Sequence, residues 1–190
     1  MVGKILAAGA AGGLALIILS FVASGVFGFR SRIDLNQIPE ESRVYAVLKE
    51  CIVVPGAYMC NPPLEPGQGF PPGQPVYSVR CSGMGHEAAG SLLLLDLAIA
   101  LATATLAAWL LSLASTRVRR GYFTSVGFVA LIGVVIAVFS DLPKTGIGGY
   151  PPASALLLSA YDIASWTLCG LVIAWLVRRG QGALLAPREA

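Results

Sequence analysis

Residues 88–114 read AAGSLLLLDLAIALATATLAAWLLSLA, and this stretch decides the fold class of the chain. It holds one charged residue, Asp96, and is longer than the roughly 20 residues that a helix needs to cross a bilayer. Three more stretches, 2–29, 122–139 and 153–177, are similarly apolar. None alternates apolar and polar residues as a membrane barrel strand does. The sequence therefore predicts an all-α integral membrane protein with four transmembrane helices.

The composition of the whole chain agrees with this prediction. Of its 190 residues, 56% are hydrophobic and 12% are charged, about half of the roughly 25% charged residues of soluble domains. So few charged groups could not cover the surface of a water-soluble fold. The composition therefore argues against a soluble enzyme, a disordered protein and a nucleic-acid-binding protein.

The first apolar stretch is interpreted as an uncleaved signal anchor. A secretory signal peptide is the alternative, because residues 23–25 are small and lie near the end of the stretch. The apolar run is, however, longer than the roughly 7–15 residues of a signal-peptide core. We expect residues 1–29 to form the first transmembrane helix, 30–87 an extracytoplasmic loop, and 88–190 three more transmembrane helices with a cytoplasmic tail.

Basic residues near the ends of the predicted spans indicate the orientation. They are Arg117, Arg119 and Arg120 between the second and third spans, and Arg178 and Arg179 after the fourth. Such residues favour the cytoplasmic side of a membrane. We therefore expect both termini in the cytoplasm and the loop 30–87 outside. The chain is therefore expected to contact the lipid bilayer and to bind no nucleic acid.

Small residues recur at helical spacing in three of the spans. They are Gly9 and Gly13, Ala100 and Ala104, and Gly133 and Ala137. Because lipid provides no hydrophobic drive for helix association, close packing through small residues supplies much of it. These stripes predict helix contacts, either inside the chain or with a partner.

The loop 30–87 contains two recognisable segments. Residues 39–51 place Val44, Val47, Leu48 and Cys51 at helical spacing, which predicts a short amphipathic helix. Residues 62–75 hold six Pro and three Gly. Because Pro disrupts both helices and paired strands, this segment predicts an extended spacer.

Three cysteines of the loop, Cys51, Cys60 and Cys81, would lie in an oxidising compartment, where one disulfide is expected. A hairpin turning at residues 55–56 would bring Cys51 opposite Cys60, and Cys60–Cys81 is the other pairing considered. A turn containing Pro-Gly suits a two-residue hairpin badly, however. No metal or cofactor is expected, because no C-x-x-C, haem-attachment or zinc spacing occurs. A weak alternative is a metal site of Cys81, His86, Glu87 and Asp141.

Two carboxylates, Asp96 and Asp162, lie inside predicted spans. We expect both at similar depth in the outer half of the bilayer, facing the interior of the bundle or water, because a charge in lipid is costly. Two interpretations remain open. The pair relays protons or cations, or each acid forms interhelical hydrogen bonds, for which the candidate partners are Thr103, Ser159, Tyr161 and Ser165.

The sequence resembles a group of uncharacterised small multispanning bacterial membrane proteins. The resemblance lies in Ile38-Pro39-Glu40-Glu41, in residues 46–49 and 55–58, and near the C-terminus in Asp162, Trp166, Gly170 and Arg178-Arg179. It implies an N-terminal span, an outer segment and a C-terminal group of spans, in a chain that lies in the inner membrane of a bacterium. It implies no activity.

Three functions follow as hypotheses. The first is a non-catalytic accessory or assembly subunit of a larger inner-membrane complex, with other membrane subunits or further copies as partners. The second is a small oligomeric transporter or channel for protons or cations that uses Asp96 and Asp162. The third is a membrane enzyme acting on lipids or thiols.

Overall fold

A computed structural model describes residues 2–34, 36–64, 66–69 and 71–185. Helices make up 72% of the chain. The elements are α1 (Val2–Phe21), α2 (Phe29–Asp34), α3 (Glu41–Cys51), β1 (Gly56–Cys60), β2 (Tyr77–Cys81), α4 (Ala89–Leu113), α5 (Thr116–Arg120), α6 (Tyr122–Ile136) and α7 (Pro152–Leu185). Turns of π-helix continue α1 through Val22–Val26 and α6 through Ala137–Asp141.

Four helical segments are long and apolar enough to cross a membrane. They are Val2–Val26, His86–Leu113, Tyr122–Lys144 and Pro152–Arg178. The four long apolar helices predicted from the sequence are therefore confirmed. Many large apolar side chains point outward from them, as Leu14, Leu131 and Leu156 do. A surface of this kind is unfavourable in water and favourable in a hydrocarbon environment.

Close contacts between glycines and neighbouring helices define how the four long helices run. In α1, Gly9 lies against Thr105 of α4 and Gly13 against Leu101, so these two helices are antiparallel. In α6, Gly133 lies against Trp166 of α7, and Val126 lies against Gly170, so this pair is antiparallel as well. Helix α1 also packs on α7, which joins the two pairs into one bundle.

The two ends of this bundle differ in character. The start of α1, the link through α5 and the last turns of α7 lie at one end, which we call the basic end because Lys4, Arg117, Arg119, Arg120 and Arg178 are there. The opposite end, where α1 leads into residues 30–87 and α4 begins, is called the loop end. The core between the ends is built largely from small side chains, including Ala8, Ala104, Ala107 and Ala108, beside Val129, Trp166 and Ile173.

The outer segment 30–87 is not purely helical, so the all-α prediction is wrong there. Strands β1 and β2 form a two-stranded antiparallel sheet in which Gly56 pairs with Cys81 and Cys60 with Tyr77. The Pro-rich residues lie in the connection between the two strands. This connection, and not residues 55–56, reverses the chain, because Pro55-Gly56 gives the wrong twist for a tight hairpin. The segment predicted as a spacer is thus the loop of a wide hairpin.

Helix α3 lies where the amphipathic helix was predicted. It begins after Glu40, whose φ of 56° is left-handed, and ends where the amide of Ile52 donates to the carbonyl of Leu48 at 2.8 Å. None of its residues is buried, and Val44 and Leu48 are half-buried on one side. The apolar face of α3 is therefore only partly covered.

Candidate functional site

Asp96 is an acidic residue within an apolar helix, α4. It lies seven residues into α4, about 10 Å along the helix axis from Ala89. All eight residues from Ala89 to Asp96 are exposed, and burial against the bundle begins only at Leu97. The first two turns of α4 thus stand clear of the other helices. Of the two surroundings expected for Asp96, the interior of the bundle is wrong.

The surroundings of Asp96 are apolar. Leu92 and Ile99, which share its side of α4 at helical spacing, are both exposed, and so are Leu93, Leu94 and Leu95. Within the described residues, the carboxylate forms no hydrogen bond or ion pair. In lipid, an acidic side chain at the centre of a spanning helix costs about 2.5–3.5 kcal/mol on insertion scales. Asp96 therefore requires water or a polar group of another molecule beside it.

Asp162 has a different environment from Asp96. It is half-buried on α7, and its backbone carbonyl would lie 2.9 Å from a methyl group on Gly133 of α6. The preceding Tyr161 stacks on Phe29, with 5.0 Å between ring centroids. Unlike Asp96, Asp162 takes part in a polar or electrostatic interaction. This carboxylate is therefore part of the packed bundle.

The structure does not join the two acids into one site. Helix α4 packs mainly on α1, whereas α7 packs on α1 and α6, and no hydrogen bond connects Asp96 to Asp162 in the described chain. The register of the glycine contacts places Asp96 level with Ile18 of α1 and Asp162 roughly one turn nearer the loop end. Their depths are similar, but their surroundings are not.

The hydroxyl groups proposed as partners for these acids are mostly used within their own helices. Thr103 donates to the carbonyl of Ile99 at 2.8 Å, and Ser165 donates to that of Tyr161 at 2.7 Å. Ser159 is buried, and its hydroxyl has no partner among the described residues. Neither Thr103 nor Ser165 therefore bonds an acid across helices.

A second charged site, at the loop end of α6, was not predicted from the sequence. Asp141 is 2% exposed, and Lys144 donates to its Oδ1 at 2.8 Å. The other carboxylate oxygen, Oδ2, is buried and has no partner within the described part of the chain. The spacing Asp-x-x-Lys could have indicated this ion pair, because side chains three residues apart are neighbours on a helix.

The three outer cysteines are free thiols, so the predicted disulfide is absent from the described chain. Cys51 ends α3, whereas Cys60 and Cys81 lie at opposite ends of the sheet. Four residues of strand separate these two positions, or about 13 Å, which exceeds the Cα separation of a disulfide. The alternative metal set with Cys81 is not assembled either, because the described residues contain no cluster of three or more metal-ligating side chains.

The predicted small residues lie at helix contacts. A methyl group on Gly13 would lie 2.8 Å from the Cα of Leu101, and one on Gly133 would lie 2.8 Å from the Cβ of Trp166. Ala104 and Ala137 are buried, and Ala100 is half-buried. Together with Gly9, these residues serve packing within the chain.

The basic end gathers the arginines predicted to set the topology. Arg117 and Arg120 are exposed, and Arg119 is half-buried with an unpartnered Nε in the described chain. Arg178 lies near the end of α7, and the side chain of Arg179 lies outside the described residues. One concave surface of the outer segment is a groove of about 290 Å³ between α3 and β2, lined by residues that include Leu48, Ile52, Val79 and Arg80.

No family model, curated protein or solved structure matches this chain. The resemblance to small bacterial membrane proteins stays a prediction.

Proposed function

We propose that this chain is a non-catalytic membrane protein that acts as an accessory or assembly subunit of a larger complex in a bacterial inner membrane. The observation that carries the proposal is the exposure of residues 89–96. They form two helical turns that no other described part of the chain covers, and they include a carboxylate that has no partner there. A neighbouring membrane protein would cover both.

The packing of the chain supports the same proposal. The small residues of α1, α4 and α6 contact other helices of the same chain. These contacts hold the bundle together without a partner. A subunit of this kind presents a preformed surface to its partner and does not need the partner to fold. The exposed turns of α4 are the part of that surface that most restricts the partner, because the partner must accommodate the carboxylate of Asp96.

The transporter hypothesis has less support. A relay through both acids needs Asp96 and Asp162 to line one pathway, and they lie in different surroundings on α4 and α7. For a chain of four spans, such a pathway would also require several copies around a common axis. We therefore prefer the subunit proposal.

The proposal is tested by the mass of the protein extracted from its own membranes. The chain, tagged and expressed at its native level, is solubilised in mild detergent and analysed by native mass spectrometry. We expect an assembly heavier than the 19.7 kDa chain that contains a second polypeptide in fixed ratio. The control is the same chain produced alone in a foreign host. A single chain without a partner in both preparations would contradict the proposal.

A further inference from the structure

One side of α4 carries Leu92, Asp96, Ile99 and Thr103 at helical spacing, and we call it the Asp96 stripe. Leu92, Asp96 and Ile99 are exposed, and Thr103 is half-buried. The stripe lies beside the surface that packs on α1, where Leu101 and Thr105 contact the glycines of that helix. A straight apolar helix of another molecule could lie along the Asp96 stripe. The Asp96 carboxylate would then lie inside the apolar contact between the two helices.

The long helices of this chain supply no cation at the level of Asp96. The sequence has no Lys or Arg between Lys4 and Arg30, between Arg80 and Arg117, between Arg120 and Lys144, or between Lys144 and Arg178. At the level of Asp96, which the glycine register places near Ile18 of α1, every long helix is therefore free of basic residues. The hydroxyl of Thr103 already donates within α4.

The same facts argue against a second copy as the occupant. Copies of one chain share their orientation in the membrane, so a symmetric contact through the stripe would place two carboxylates at the same level with no cation between them. Like charges in a medium of low dielectric repel strongly, whereas an opposite charge at that level is attracted strongly. Charge complementarity therefore selects a different chain.

We propose that the Asp96 stripe binds a transmembrane helix of another membrane protein, and that a Lys or Arg of that helix pairs with the Asp96 carboxylate. This inference rests on the proposed function and adds to it the chemistry of the partner. The ion pair neutralises the exposed carboxylate, and the leucines of α4 surround it with apolar contacts. Acidic and basic side chains within membrane spans commonly pair in this way.

A synthetic peptide tests the recognition directly. The probe is a Leu/Ala helix of about 23 residues, long enough to cross a bilayer, with one Arg a third of the way from one end. The control peptide has Leu in place of that Arg. Binding is measured by energy transfer between a donor on the full chain and an acceptor on the peptide, in zwitterionic detergent micelles. We expect the Arg peptide to bind at least tenfold more tightly than the Leu peptide.

Variants of the full chain identify the group responsible. Asp96→Asn should lower binding of the Arg peptide to that of the Leu peptide, and Asp96→Glu should retain the preference. Asp162→Asn, the same change at the other carboxylate within a span, should leave the preference unchanged. Equal binding of the two peptides, a preference that survives Asp96→Asn, or loss of the preference in Asp162→Asn would each overturn the proposal. Because Asp96 is exposed, Asp96→Asn should keep the thermal unfolding temperature of the native chain.

The same variants in native membranes separate this inference from the proposed function. If the native chain is extracted as a larger assembly and Asp96→Asn releases it while Asp162→Asn does not, both proposals are supported. If Asp96→Asn remains in the assembly, the ion pair is refuted and the subunit function stands. A native chain that is extracted alone refutes the subunit function, whatever the peptides show.

Discussion

Individual glycines in this protein differ sharply in the space around them. On α6, a methyl group on Gly133 would lie 2.9 Å from the carbonyl oxygen of Asp162 and 2.8 Å from the Cβ of Trp166. On the same helix, a methyl group on Gly127 would meet nothing within 4 Å. The two glycines are six residues apart in one helix, so differences in helix propensity between them are small. Any difference on substitution therefore reports packing.

We expect Gly133→Ala to destabilise the chain by about 1–3 kcal/mol, the usual cost of overpacking a well-packed contact. Gly127→Ala should leave stability unchanged or raise it slightly, because Ala favours the helix over Gly. Thermal unfolding in detergent, followed by tryptophan fluorescence, measures both. If the two variants unfold at the same temperature, Gly133 does not set the distance between α6 and α7.

At the scale of the elements, the outer segment is organised by its sheet. Helix α3 and strand β2 line one groove, and the loop between α6 and α7 approaches the sheet where a methyl group on Gly148 would lie 3.5 Å from the Cβ of Ser78. The pairing of β1 with β2 keeps Cys60 and Cys81 apart. The arrangement of these elements, and not the count of cysteines, decides whether a disulfide can form.

The thiols of the outer segment provide a test of this arrangement. Without reductant, Cys51 and Cys60 should react with a water-soluble maleimide in the folded protein, because both are exposed. Cys169, which is buried in α7, should react only after unfolding. Mass spectrometry counts the added groups, and a Cys169→Ala variant identifies the late one. Fewer than four reactive thiols in the unfolded, unreduced protein would indicate a disulfide and contradict the structure.

At the scale of the whole molecule, charge is distributed unequally between the two ends of the bundle. Lys4, Arg117, Arg119, Arg120 and Arg178 lie at the basic end, whereas the loop end carries the outer segment. Basic residues of short links fix the orientation of membrane proteins. The fold thus places the predicted topological signals on one side of any membrane that it spans.

We expect this asymmetry to set the orientation. Alkaline phosphatase, which is active only outside the cytoplasm, should be active when inserted after Gly67 and inactive when fused to the C-terminus. Green fluorescent protein, which fluoresces on the cytoplasmic side, should give the opposite pattern. Replacing Arg117, Arg119 and Arg120 by Gln should reduce the difference between the two positions. Phosphatase activity at the C-terminus of the native sequence would contradict the predicted orientation.

The helices of this protein could be predicted from the sequence because their signal is local. Runs of some 20 apolar residues have few alternatives to a helix in a bilayer, and Gly9, Gly13 and Gly133 follow the spacing that close packing requires. The amphipathic helix α3 was predicted for the same reason, since Val44, Val47 and Leu48 recur with the helical period. The apolar character of the chain and the uneven distribution of its charges also belong to the sequence.

Only the tertiary structure decided which neighbours these residues have. The pairing of β1 with β2 joins positions separated by the Pro-rich loop, and no local pattern near Pro55 reveals it. The cost of a charge in lipid predicted that Asp96 faces the interior of the bundle or water. Which of the two applies depends on where α4 leaves the bundle, and the contacts of α4 begin only at Leu97. Sequence periodicity gives the side of a helix on which a residue lies. Whether another helix covers that side depends on the packing of the whole chain, and for Asp96 nothing in the described chain covers it.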